Sequence, residues 1–306
     1  MWSKGDFFMI NITQYLQNIY EDLQRYVDND ICLCKFKELN FEAGAIPDYE
    51  DINIQQLYLL RYAFAYAFEY SSMYMDVLSQ IDGADNISVT SIGCGSMIDY
   101  WSLVHALEMK QKIDFSIRYV GIDKIDWNYK FPIRQNDEVS YSIINAVDFF
   151  TNGVSTFSDV YFFPKSISEF SDSELNAMAD SFSAKNMQKN KFFVCISLRE
   201  DPGSMNRDMQ KTKCIIETIG KNGFKTNWLY DDCMCFTYKQ GIVSLDCSFQ
   251  YPSDALDLVK YLYMKCVNYK KQKKNCRLDC KEYLSRWPVL KVNHIRYQVI
   301  MFERVK

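Results

Sequence analysis

The chain has 306 residues, 48% of them hydrophobic, and a net charge of −4, a composition that can bury a large core and excludes an intrinsically disordered protein. No run of about 18 apolar residues is present, which excludes a transmembrane helix. The 11 cysteines are scattered, and residues 1–15 include Lys4 and Asp6 rather than a long apolar core. We therefore expect no signal peptide and a reducing, cytoplasmic environment.

The first 85 residues are predicted to be mainly helical. Apolar residues at spacings of three and four predict a helix over 7–30, and a second, more fully apolar helix is predicted over 52–81. Asp82 and Gly83 end the second helix. We expect a helical cap over residues 1–85 and a sheet domain over residues 86–306.

The sheet domain is predicted from strands that alternate with helices. This alternation favours an α/β fold with a doubly wound, mostly parallel sheet and right-handed crossovers. The predicted strands are 87–92, 117–122, 140–146, 160–163, 191–198, 225–230, 233–238, 242–249 and 294–304. The predicted helices are 97–110, 172–184, 205–221 and a basic helix over about 253–274. This last helix belongs to a basic helical insertion predicted over about 252–286.

The most informative segment is the turn Gly93-Cys94-Gly95-Ser96, which follows the first strand and leads into a helix. The next strand ends on Asp123 about 25 residues later. A strand, a glycine turn, a helix and a strand that ends on an acid can hold an adenosine-containing cofactor. A dinucleotide fingerprint would need glycine where Ile98 stands, and no Gly-Lys-Ser/Thr phosphate loop follows.

Ligands of doubly wound sheets lie beyond the carboxyl ends of the strands, and this rule selects candidate residues. The candidates, in strand order, are Gly93, Cys94, Gly95, Ser96 and Asp99, then Asp123 and Lys124, then Asp148 and Phe149, then Pro164, Lys165 and Ser166, and finally Arg199 and Glu200.

The glycine turn resembles the first motif of class I S-adenosylmethionine-dependent methyltransferases, an acid followed by three alternating glycines. Ser91 stands at the acid position and Met97 at the third glycine. The resemblance covers about residues 85–200. It implies a Rossmann-like methyltransferase fold, S-adenosylmethionine as cofactor and methyl transfer as the activity.

The resemblance also implies roles for individual residues. Gly93 and Gly95 would let the backbone approach the cofactor, and Asp123 would accept hydrogen bonds from the ribose hydroxyls. Asp148 would bond the adenine amino group, and Phe149 would pack on the adenine ring. The segment 163–166 would line the reacting methyl group. Because the sulfonium donor is already activated, no catalytic side chain is named, and the methyl acceptor cannot be read from the sequence.

Charge is distributed unevenly along the chain. Residues 1–164 hold 11 basic and 23 acidic side chains, whereas residues 165–306 hold 24 basic and 16 acidic ones. The basic excess indicates either an RNA or other acidic partner or a solvated helix face. The methyl acceptor is therefore expected to be RNA-associated or a small molecule. The alternatives are aminocarboxypropyl transfer from the same cofactor and a non-catalytic protein of this fold that binds a polyanion.

Metal binding is not expected. Cys32 and Cys34 are too close in sequence for a usual zinc knuckle, as are Cys233 and Cys235. His105 falls within the helix after the glycine turn, where a structural role is expected.

Overall fold

The computed structural model describes residues 11–41, 46–81, 84–153, 157–199, 201–226, 237–243, 249–272, 279–290 and 292–305. Its helices are α1 (Ile12–Val27), α2 (Ile52–Leu78), α3 (Ile98–Met109), α4 (Ala146–Thr151), α5 (Asp172–Lys185), α6 (Pro202–Lys221), α7 (Ser253–Lys260), α8 (Val267–Lys270) and α9 (Asp279–Leu284). Its strands are β1 (Asn86–Ile92), β2 (Ser116–Asp123), β3 (Glu138–Ile143), β4 (Val160–Phe163), β5 (Lys191–Ser197), β6 (Phe224–Lys225), β7 (Thr237–Val243) and β8 (Val292–Arg304).

The chain divides into two compact units. The first comprises Met1–Tyr66, Trp127–Phe131 and Ser244–Val292, and the second comprises Ala67–Asp126, Pro132–Val243 and Asn293–Lys306. The sequence-based division lies after α2, at residue 85, whereas the contacts divide the chain within α2. Trp127–Phe131 and the described residues 249–272 join the first unit although they lie far from α1 in the sequence, which no local pattern reveals.

Helices are the main secondary structure of the first unit where the structure describes it. Asn11 caps α1 by accepting a hydrogen bond from the Thr13 amide, and the apolar face of α1 is fully buried. The predicted single helix over 253–274 is wrong. The chain instead forms α7, a 3₁₀ turn over Leu262–Lys265 and α8, because the extended backbone of Cys266 redirects it. This break lets the chain bury Leu262, Tyr263 and Cys266.

The second unit is built on one sheet with strand order β3-β2-β1-β4-β5-β8-β6, and β7 pairs with β8. β1 to β5 run parallel to one another, whereas β8 runs antiparallel to β5 and β6. Every residue of β4 is buried, as expected for a strand covered on both faces. The predicted α/β fold with a doubly wound, mostly parallel sheet is confirmed.

Two predicted boundaries are corrected by helix caps. β3 ends at Ile143 instead of reaching residue 146, because Asn145 caps α4 by accepting from the Val147 amide at 2.8 Å. α6 begins at Pro202 instead of residue 205, because the Asp201 side chain accepts from the Ser204 amide at 2.9 Å. The predicted strand residues 227–230, 233–236 and 244–248 lie outside the described residues.

Candidate cofactor-binding site

The strand order places the predicted residues at one edge of the sheet. β1 lies between β2 and β4, so the direction of winding reverses between β1 and β4. Ligands of doubly wound folds bind beyond the carboxyl ends of the strands at this reversal. The loops that follow β1, β2 and β4 are therefore the place to look for a cofactor site.

The glycine turn after β1 is fixed by hydrogen bonds and by close packing. The Gly93 and Cys94 amides both donate to the Ile122 carbonyl, at 2.8 and 3.1 Å. Gly93 has φ +72°, and a Cβ on it would lie 2.6 Å from the Cβ of Ser166, whose hydroxyl donates to the Ile92 carbonyl. Both the backbone conformation and the β4 loop therefore require glycine at this position.

Met97 occupies the position of the third glycine in the resembling motif and keeps a left-handed backbone, with φ +63° and ψ +35°. It immediately precedes α3, and its side chain is only 1% exposed. The departure from the motif therefore changes the side chain but leaves a backbone conformation that glycine adopts most easily.

Asp123 joins the loops that follow β1 and β2. One carboxylate oxygen accepts from the Gly95 amide at 2.8 Å, and the other accepts from the Ile125 amide at 2.9 Å. Burial raises the pKa of Asp123, although these backbone donors act in the opposite direction. Each carboxylate oxygen can accept more than one hydrogen bond, so the anchored carboxylate is suited to accept from hydroxyl groups as well.

Lys124 and Glu169 lie beside Asp123. The Lys124 ammonium is 3.6 Å from the Glu169 carboxylate, and both side chains are partly exposed. Burial raises the pKa of Glu169, and the negative charge of Asp123 raises it further. Sequence reasoning missed Glu169 because the candidates stopped at Ser166, one turn earlier. Extending the strand-edge rule through the short 3₁₀ helix after β4 would have included it.

Asp99 points into the core. It is fully buried, and the Tyr119 hydroxyl donates to its two oxygens at 2.9 and 3.0 Å. Burial raises the pKa of Asp99 to about 6. This position does not support the predicted direct contact between Asp99 and a cofactor. Cys94 is also buried, and a Cβ on Gly121 would lie 2.8 Å from its sulfur, so this thiol packs closely against β2.

Lys165 is held in a buried ion pair. Its ammonium lies 2.9 Å from the Glu69 carboxylate and also donates to the Leu198 carbonyl, while the Ser197 hydroxyl donates to Glu69. The ammonium is therefore engaged by α2 and by the residue that follows β5, so its position does not support the predicted cofactor contact. Pro164, which precedes it, is half-buried. Glu69 and Ser197 lie far from Lys165 in sequence, and no local pattern identifies them.

The remaining candidates do not gather at the glycine turn. Because β3 ends early, Asp148 lies in the first turn of α4 with its side chain exposed. Phe149 is 6% exposed and packs in the apolar core beside Phe150. Ser96 is buried, Arg199 pairs with Asp208 at 2.6 Å, and Glu200 lies outside the described residues. The geometry thus brings together Gly93, Gly95 and Asp123.

A cavity of about 430 Å³ lies at the opposite edge of the same sheet. It opens at the amino ends of the parallel strands and is lined by residues that include Ser88, Arg118, Asp159, Lys189 and Lys191. Two of its cations are already engaged, because Lys189 pairs with Asp159 and Lys191 donates to the Gln80 carbonyl. Because the cavity lies at the amino ends of the strands, it is separate from the predicted cofactor site at their carboxyl ends.

Three thiols of the first unit meet at the Cys32 sulfur. The Cys34 backbone, the Cys34 thiol, the Asn268 amide and the Cys266 thiol all hydrogen bond to it, with the Asn268 nitrogen at 3.1 Å. These bonds lower the pKa of Cys32, led by the Cys34 backbone.

Among the described residues, no group of three or more His, Cys, Asp or Glu side chains is arranged to hold a metal ion. The described helices include none with the length and apolarity needed to span a bilayer.

His105 has the structural role expected from the sequence. Its Nδ1 lies 3.1 Å from the Ser71 hydroxyl, and its ring stacks on Trp101 with a centroid distance of 5.0 Å.

Comparison with known proteins returned no matching family model and no matching curated protein. Among solved structures, human N-acetylserotonin methyltransferase in complex with SAM is similar over 95% of this chain and 67% of its own, with 11% identity and a TM-score of 0.43. The 1,6-didemethyltoxoflavin-N1-methyltransferase of Burkholderia thailandensis, bound to S-adenosylhomocysteine, covers 79% of this chain and 80% of its own, with 9% identity and a TM-score of 0.39.

The magnesium protoporphyrin IX methyltransferase of Synechocystis covers 96% of this chain and 97% of its own, with 10% identity and a TM-score of 0.37. Similarities this distant carry no argument about activity. The assignment of an α/β, methyltransferase-like fold therefore rests on the strand order and pairing described above.

Proposed function

We propose that this chain transfers a methyl group from S-adenosylmethionine to an acceptor molecule. The observation that carries the proposal is the Asp123 carboxylate, which is bonded to the Gly95 amide where the winding of the sheet reverses. A glycine backbone and an anchored acid at this edge are the two features that an adenosine-containing cofactor needs.

The residues present fit the cofactor. Gly95, at φ +54°, offers backbone without a Cβ, and Asp123 is held in place by two amides while keeping lone pairs for the ribose hydroxyls. Gly93 packs closely against Ser166, and the turn is hydrogen-bonded to the Ile122 carbonyl, so the site needs little ordering when a ligand binds. Asp148 and Phe149 remain proposed contacts to the adenine. Lys124 remains a proposed contact to the cofactor at the same edge of the sheet.

The bound cofactor would supply a methyl group that its sulfonium already activates. The tasks left to the protein are to orient the acceptor and to exclude water. A general base is needed only where the acceptor carries a proton at the working pH. The proposal therefore names Gly93, Gly95 and Asp123 as binding residues and assigns no residue to proton transfer.

Within this proposal, a small-molecule acceptor is favoured over an RNA-associated one. Lys265 pairs with Asp28 at 2.7 Å, and Lys270 pairs with Asp30. These pairs lower the net positive charge of the basic region on which the RNA hypothesis depends, and the electrostatic part of RNA binding grows with that charge.

A non-catalytic role is the second candidate. It is supported by Met97 and Ser91, which depart from the resembling motif, and by Lys165, whose ammonium is engaged by Glu69. A chain of this kind would keep the fold without binding the cofactor.

The experiment is calorimetric titration of the full chain with S-adenosylmethionine and S-adenosylhomocysteine. We expect micromolar dissociation constants, equivalent to about −8 kcal/mol. Asp123→Asn should weaken binding at least about tenfold, because an amide accepts fewer hydrogen bonds than a carboxylate. Asp126→Asn, on the exposed part of the same loop, is the matched control and should bind as the wild type does.

Three outcomes would redirect the proposal. No binding up to about 1 mM, where association is worth only about 4 kcal/mol, would favour the non-catalytic role. Unchanged affinity in Asp123→Asn would show that the site is assigned to the wrong residues. Once an acceptor is found, release of methylthioadenosine instead of S-adenosylhomocysteine would identify aminocarboxypropyl transfer.

A further inference from the structure

A buried arginine in the first unit lacks partners for most of its hydrogen-bond donors. Arg61 lies in α2 with 1% of its surface exposed. Its Nη2 donates to the Tyr283 carbonyl at 3.2 Å, while Nε and Nη1 have no hydrogen-bond partner. Buried polar groups are nearly always paired, so these two nitrogens need an explanation.

The position of Arg61 is fixed by its surroundings. The Val289 amide donates to the Arg61 carbonyl at 2.8 Å, and the Tyr251 hydroxyl donates to the Leu60 carbonyl at 2.7 Å. Two segments from the second half of the chain are therefore anchored along the same turn of α2. These contacts fix the backbone of α2 at Arg61, whose side chain is almost fully buried.

The charges around Arg61 are unfavourable for a cation. Burial lowers the pKa of Arg61 to about 10, and the nearby positive charge of Arg286 lowers it further, while Tyr62 acts in the opposite direction. Within the part of the chain that the structure describes, no carboxylate pairs with Arg61. An isolated buried cation is among the most costly groups a fold can contain, and a bound anion removes that cost.

We propose that Arg61 and Arg286 form a binding site for an oxyanion, either a phosphate or a carboxylate group. The guanidinium of Arg61 offers unused N–H donors, which match the several acceptor oxygens of such a group. Arg286 is exposed and would contribute charge from the solvent side. This site is independent of the proposed methyl transfer, because it uses none of the residues at the glycine turn.

The surface next to Arg286 is suited to attract an anion. Trp287 is 58% exposed, and the Lys260 ammonium lies 4.1 Å from the centroid of its ring. Since Arg286 precedes Trp287 in the chain, Lys260 and Arg286 give this exposed surface two positive charges. Such a charge distribution raises the local concentration of anions and speeds their association.

The test is thermal unfolding of the full chain in inorganic phosphate, in acetate and in chloride at one ionic strength. We expect the wild-type Tm to rise by about 5 °C when the preferred oxyanion exceeds its dissociation constant about 100-fold. The phosphate and acetate arms distinguish the two sources of the oxyanion. Arg61→Met should lose this response and should unfold at a higher Tm than the wild type in chloride, because the unpaired charge is gone.

Two further variants separate a loss of anion binding from a loss of folding. Arg25→Met is the matched control, because Arg25 is an exposed arginine of the same unit, and it should keep the full response. Arg286→Gln changes an exposed side chain, so it should fold normally. It should raise the apparent dissociation constant for phosphate or acetate at least about threefold, read from the Tm as a function of anion concentration. A wild type that responds to neither anion, or an Arg61→Met variant that responds as the wild type does, would overturn the proposal.

Discussion

Because Met97 has a left-handed backbone, we expect glycine and alanine at this position to rank in stability in the reverse of their usual order in a helix. In a right-handed helix, glycine is less stable than alanine by about 1 kcal/mol. At φ +63°, the Cβ of any L-residue is strained, and only glycine avoids this strain. We therefore expect Met97→Gly to be more stable than Met97→Ala.

The magnitudes follow from the burial and the backbone angle. Met97 is 1% exposed, so truncation to alanine should lower the free energy of unfolding by about 2–5 kcal/mol. Removing the Cβ as well regains about 1–2 kcal/mol of strain and loses about 0.4–1 kcal/mol to the greater freedom of the unfolded chain. Met97→Gly should therefore exceed Met97→Ala by roughly 0.5–1 kcal/mol, although both are less stable than the wild type.

Urea denaturation of the two variants measures this difference directly. Ala179→Gly is the matched control, because Ala179 is a fully buried alanine within the right-handed helix α5. That change should cost about 1 kcal/mol, so the same pair of residues should rank in opposite order at the two positions. If Met97→Ala is the more stable variant, the strained backbone at residue 97 is refuted, and with it the claim that this position retains a glycine-like conformation.

Three further predictions concern buried or hydrogen-bonded groups. Asp99→Asn should remove a pH dependence. The pKa of Asp99 rises from 3.8 to about 6 on folding, so its protonated form stabilises the fold at low pH and this stability is lost as the pH rises through 6. Relative to the variant, wild-type stability should fall by roughly 2 kcal/mol between pH 4 and pH 7, and urea midpoints that change equally with pH in both proteins would contradict this. Glu69→Gln should lower the free energy of unfolding by about 3 kcal/mol, because Lys165 loses its partner. Adding Lys165→Met should recover part of this loss. If the losses of the two single variants simply add in the double variant, the ion pair is not energetically coupled. Iodoacetamide should label Cys32 several-fold faster than Cys214 at neutral pH, as followed by mass spectrometry. Hydrogen bonds lower the pKa of Cys32, whereas burial raises the pKa of Cys214. Equal rates would contradict the hydrogen bonds described at the Cys32 sulfur.

The fold was largely predictable because its signals are local. The bounds of β1, β2, β4 and β5 agree with the sequence patterns to within one residue, since apolar runs and turn residues lie next to each other in the chain. The break in the basic helix was not predictable, because α7 and α8 are separated by burial against distant parts of the first unit. β3 was overextended because the Asn145 cap of α4 was not recognised.

The site was predictable in position but not in side-chain direction. The strand-edge rule places Asp99 and Asp123 in the same loop region, yet the structure turns Asp99 towards Tyr119 in the core and Asp123 towards Gly95. Sequence spacing does not distinguish these two directions, since both residues follow buried strands. The Lys165–Glu69 pair could not be predicted from the sequence, because it depends on how α2 packs against the loops that follow β4 and β5.

Charge shows the same limit most clearly. The sequence concentrates basic residues after position 260, but Asp28 and Asp30 from the acidic half pair with Lys265 and Lys270 there. Arg61, in contrast, stands in an acidic stretch of sequence and has no carboxylate partner among the described residues. The cost of an unpaired charge depends on burial, and exposed ion pairs contribute little. We therefore expect anion binding by this chain to depend on Arg61 far more than on the exposed lysines of its basic region.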